Sequence, residues 1–135
     1  MQSPEMHSKV AQRFSQWTAL SSLALIAVTW RLWTPQTAYP QVPVLHALCN
    51  APLWLDWVGL VGAVVGLLVI AISVRRRMVQ VGCAITLVSL LLLFSLDQHR
   101  FQPWAYELGL FCVIWLGCRE PSSMQLMRVL LISVY

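Results

Sequence analysis

The sequence predicts an all-α protein: an integral membrane antiparallel four-helix bundle, followed by a truncated or interfacial fifth helix. Three observations predict it. Leu, Val, Ile and Ala collect in long blocks rather than in the short alternating runs of a sandwich or barrel. Basic residues and prolines stand between the blocks, not within them. Only 10% of the 135 residues are charged and 59% are hydrophobic, whereas a soluble domain carries about a quarter charged residues. One domain is expected at this length.

A helix needs about 20 mostly apolar residues to cross a hydrocarbon core of about 30 Å. The first block meets that need over 17–33, with Trp17, Trp30 and Trp33 at its ends, at the depth of an aromatic belt. An amphipathic extension from about Ser8 leads into it, and 1–16 is set apart as a cytoplasmic N-terminal segment carrying Lys9 and Arg13. That polar start resembles the n-region of a signal peptide, but no small-residue cleavage site follows, so a retained helix is expected. Pro35, Pro40, Pro43 and Pro52 then forbid a regular helix and predict an irregular loop outside the lipid core.

The second span, 57–74, opens at Trp57 and stops at Arg75, Arg76 and Arg77; the third, 78–96, follows at once, so the arginines mark a tight helical hairpin. After the break at 97–103, Pro103 suits the first turn of a fourth helix over 103–118, where its missing N–H is harmless. Trp104 anchors that end, completing a transmembrane domain over 17–118. The last run, 124–135 of the 119–135 segment, has twelve residues. At 1.5 Å per residue these reach about 18 Å, so it is expected to be the front of a further span in a longer protein or an interfacial helix.

Orientation follows from the basic residues. Lys9, Arg13, Arg75, Arg76, Arg77, Arg119 and Arg128 fall on one side, Arg31 and Arg100 on the other. The excess marks the cytoplasmic face and puts both termini there. The net charge of +4 is thus a matter of topology, not a basic stripe for nucleic acid. The expected partners are the lipid bilayer and other membrane subunits. No metal or cofactor site is predicted, because Cys49, Cys83, Cys112 and Cys118 lack CxxC spacing and histidine partners.

Two groupings remain. Gly59, Gly62, Ala63 and Gly66 form a small-residue stripe for close helix approach, more in keeping with packing inside the bundle than with dimerisation. On the outer face, Asp97, His99, Arg100 and Glu107 gather near Asp56, Arg31, Tyr39 and His46. They are the weak catalytic candidates. Such groups can move protons, and a carboxylate within the membrane zone needs a partner or a watery cavity. Solvated loop charges, with Glu107 reaching water or Arg100, are the plainer expectation. The polar residues read in the middle spans, Ser73, Thr86, Ser89 and Ser95, are expected to bond their own backbone, which ranks a transporter last.

The string Leu96-Asp97-Gln98-His99-Arg100-Phe101-Gln102-Pro103-Trp104-Ala105-Tyr106 resembles the DQxRxQPWxY-like segment of bacterial multi-pass proteins of the DoxX-like and vitamin K-dependent carboxylase-like grouping. Trp30-Arg31-Leu32-Trp33 and the closing stretch from Arg128 to Tyr135 look similar too. The resemblance implies a bacterial inner-membrane bundle with its functional surface on the outer side, and a terminal segment that opens another span. It also implies an outer-side lysine base, yet the single lysine, Lys9, is predicted to be cytoplasmic, and the thiol pairs of redox-linked relatives are missing. A non-catalytic subunit or scaffold is therefore expected first, and the N-terminal part of a larger DoxX-like or carboxylase-like enzyme second.

Overall fold

The computed structural model describes residues 4–35, 42–44, 48 and 50–118, with side chains from residue 9 onward. Among these the chain is all-helical and contains no strand. Helix α1 covers Pro4–Val28, α2 the single turn Trp30–Trp33, α3 Trp54–Ile72, α4 Arg76–Leu96 and α5 Pro103–Gly117; a 3-10 turn, Gln98–Arg100, joins α4 to α5. Helices α3 and α4 are long and apolar enough to cross a membrane, and α5 is a shorter apolar helix. The final segment, together with Tyr39, His46, Cys49, Arg119 and Arg128, lies outside the described residues.

The first helix departs from its predicted bounds at both ends. It begins at Pro4, so the segment set apart as 1–16 is helical over most of its length. It breaks at Thr29, whose φ of −100° and ψ of 23° leave the helical region. The Thr29 hydroxyl donates to the Leu25 carbonyl at 2.6 Å, a local bond that competes with the helical ladder. Ala11, Ser15, Ala19, Ser22 and Ile26 are buried on one face, at steps of three and four residues. Gln12 and Gln16 donate side-chain amide hydrogens to the Ser73 carbonyl at the end of α3, at 3.3 and 3.5 Å. This fixes α1 antiparallel to α3.

The tightest packing joins α3 to α4 across the three-residue connection that holds Arg75. The small-residue stripe faces inward: a Cβ added at Gly66 would stand 2.8 Å from the Gly82 carbonyl oxygen and 2.8 Å from the Thr86 nitrogen, and one at Gly59 2.8 Å from Leu93 Cγ. The Ser89 and Thr86 hydroxyls rest where side chains at Gly62 and Gly66 would begin. Gly82, which the sequence pattern did not single out, completes the close approach from the other side; a Cβ there would lie 2.7 Å from Ile70 Cγ1. Backbones this near gain dispersion contacts, and polar hydroxyls can sit over Cα–H groups. Ser73 and Ser95 do bond their own helices, to Val69 O and Leu91 O. Thr86 corrects that expectation: its hydroxyl is buried with no hydrogen-bond partner among the described residues.

The end that carries Arg75, Arg76 and Arg77 is closed by polar side chains on helix C-terminal carbonyls. Arg76 Nη2 donates to Cys118 O at 2.6 Å, and Gln80 Nε2 to Trp115 O at 3.3 Å, tying α4 to the end of α5. Gln80 is a polar residue within the third block that the sequence reading passed over. Cys83 and Cys112 are buried as free thiols, and Cys118 is half-buried.

Replacing Gly66 with Leu should destabilise the fold by about 1–3 kcal/mol through overpacking against backbone. Gly109→Ala should be near neutral, since its added Cβ meets only Leu87 Cδ1 at 4.0 Å. Unfolding of both variants in mixed detergent micelles measures the difference.

Candidate functional site

At the end away from Arg75, Arg76 and Arg77, three separate pieces of chain meet around one guanidinium. Arg100 is 1% exposed and Asp56 is 2% exposed. Arg100 Nη1 donates to Asp56 Oδ1, and Arg100 Nε donates to the Leu32 carbonyl at 3.2 Å. The sequence dictates this locally in three ways. Asp56 lies in the first turn of α3, where unsatisfied N–H groups favour a carboxylate. Leu32 O belongs to the last turn of α2, where unsatisfied carbonyls favour a cation. Arg100 closes the 3-10 turn, so its side chain leaves the α4–α5 connection toward both helix ends.

An aromatic pair follows directly on Leu32. Trp33 is fully buried, meets Trp104 edge-on with centroids 5.4 Å apart, and donates its indole N–H to the Thr29 hydroxyl at 3.0 Å. Trp33 was expected to be an interfacial anchor; it is instead a core residue, because the break at Thr29 turns the last turn inward. Trp30 and Trp57 are exposed, as are Arg75, Arg76 and Arg77, and Arg31 lies 5.8 Å over the Trp30 ring. Phe94, Phe101 and Tyr106 form a second ring cluster, with centroids 4.8 to 5.7 Å apart. The proline-rich loop is pinned to the same connection, where Val44 N donates to Ser95 O at 3.1 Å and Gln98 N to Val42 O at 2.9 Å.

The four catalytic candidates therefore do not form one cluster. Arg100 turns inward to Asp56, so the expectations of a solvated loop arginine and of a Glu107–Arg100 contact are both overturned; a charge with two better acceptors inside has no reason to reach outward. Asp97 stays at the surface and accepts from the His99 backbone N–H at 3.0 Å, with His99 Nδ1 also 3.0 Å from its oxygen. His99 is exposed there, so the two make a turn-stabilising pair. Glu107 lies apart from both, in an open seam of about 300 Å³ between α1 and α5. Among the described residues no nucleophile, base and orienting group converge, and no three metal-ligating side chains come together.

No protein-family model matches the chain, and neither the curated proteins nor the solved structures yield a match.

Arg100→Leu should cost about 3–5 kcal/mol of stability, because it takes the guanidinium away from a buried carboxylate, whereas the double replacement Asp56→Leu with Arg100→Met should recover most of the loss. His99→Ala should stay within about 0.5 kcal/mol. Equilibrium unfolding of the three variants in mixed micelles reads the ranking.

Proposed function

We propose that the chain is a multi-pass membrane protein acting as a non-catalytic subunit or scaffold, which packs against partner helices in the bilayer with both termini cytoplasmic. The observation that carries this reading is the outer face of α3. Val58, Val61, Val65, Leu68 and Ile72 are all exposed and follow one another at steps of three and four residues. That spacing is the seam of a helix–helix contact, and it lies opposite the glycine face already occupied by α4. In water such a stripe would drive aggregation; in a bilayer it is compatible with lipid and available to a second helix. The small-residue face by which α3 pairs closely with α4 supports the same reading. So does the distribution of basic residues, with Arg75, Arg76 and Arg77 held at the end where Gln12, Gln16 and Cys118 also lie.

A second reading, the N-terminal part of a larger DoxX-like or carboxylase-like membrane enzyme, is favoured by one observation. The string carrying that resemblance is the one that supplies Arg100 to the buried pair, at the end assigned to the outer side.

A photo-crosslinking side chain at Val65 should give a discrete protein adduct in native membranes, while one at Val88 on α4, also exposed, should give lipid adducts alone. Lipid adducts at both positions would count against a subunit role. For orientation, an impermeant thiol reagent applied to sealed cells should label Cys49 and spare Cys118; labelling of Cys118 from outside would reverse the topology.

A further inference from the structure

The seam between α1 and α5 is lined mostly by apolar side chains, but Thr18, Ser21 and Ser22 of α1 and Glu107 of α5 also line it, with Trp17 and Trp104 among its walls. Glu107 is half-buried, and no described residue pairs with or hydrogen-bonds its side chain. An isolated carboxylate in an apolar wall is expensive and calls for a cation or a donor. Glu107 sits one turn inside α5, just beyond Trp104, at the level where headgroups meet acyl chains if α5 starts at an interface.

A second cleft offers the contrast. It lies between α4 and α5, has nearly the same size at about 290 Å³, and carries no carboxylate or basic group. Shape alone therefore does not distinguish the α1–α5 seam; its charge does.

We propose that this seam binds one lipid with a primary ammonium headgroup, the ammonium on Glu107 and one acyl chain lying between α1 and α5. The proposal rests on the membrane reading above. A primary ammonium has three N–H donors, enough for the carboxylate and a neighbouring hydroxyl oxygen, and its bond to a carboxylate is charge-assisted. A choline headgroup has no N–H and is left with the tryptophan faces.

Brominated lipids test it, because Trp17 and Trp104 are built-in fluorescent reporters in the seam. The full chain is reconstituted in phosphatidylcholine vesicles containing an equal fraction of brominated phosphatidylethanolamine or brominated phosphatidylcholine. The ethanolamine lipid is expected to associate roughly fivefold more strongly, in line with a charge-assisted hydrogen bond. Glu107→Gln should abolish that preference and leave quenching by the choline lipid unchanged. Ser21→Phe, which obstructs the seam from its exposed side, should lower the ethanolamine-specific part without touching the carboxylate. Equal quenching of the wild-type chain by the two lipids, or a preference for choline, overturns the proposal while leaving membrane insertion intact. Absence of quenching by either lipid removes the membrane reading and this proposal together.

Discussion

A single guanidinium holds the upper part of this fold together. Arg100 reaches the carboxylate at the start of α3, where a helix N-terminus suits the anion, and a carbonyl at the end of α2, where a helix C-terminus suits the cation. The attraction between two buried charges barely offsets their desolvation in many proteins. Here both ions also meet favourable helix ends. The pair therefore fixes geometry more than it adds net stability: it sets where the first helix ends, where α3 begins and how the α4–α5 connection turns. The pinning of Val42 and Val44 to that connection extends its reach into the proline-rich loop.

Much of this was legible in the residues. Block lengths and the run Arg75-Arg76-Arg77 marked α3 and α4 with a short connection, though Arg76 and Arg77 belong to the first turn of α4; Pro103 marked the first turn of α5, and the glycine spacing foretold a close helix contact. Other features were hidden for identifiable reasons. Asp56 and Arg100 are 44 positions apart in the chain, and nothing in either neighbourhood tells a loop arginine from a core one. Trp33 reads as an anchor by composition, because the turn at Thr29 that redirects it leaves no breaker residue in the sequence. Gly82 has a small partner four positions on, Thr86, but that threonine reads in sequence as a residue bonding its own helix, which hides the pair. Thr86 was expected to bond its own helix, but the nearness of Gly66 gives its hydroxyl a backbone to rest on instead.

The molecule thus has three kinds of surface on its helices. The inner faces of α3 and α4 are matched at backbone distance. The outer face of α3 is a regular apolar ridge. The α1–α5 seam is neither closed nor uniformly apolar, since hydroxyls and a carboxylate interrupt it. These differences arise from side-chain size and polarity face by face, which is why hydropathy averaged along a helix does not separate one face from another.

The Arg100 junction also implies an order of assembly. Helices α3 and α4 are neighbours in sequence and can pair as soon as both have been made, since a short connection loses little entropy on closure. Leu32 must wait for a donor 68 residues later in the chain. Until the ribosome has passed that point, the guanidinium that joins Asp56 to Leu32 is missing. The hairpin is accordingly the nucleus of the fold, and the union of its outer helices at the buried charge is the step that completes it.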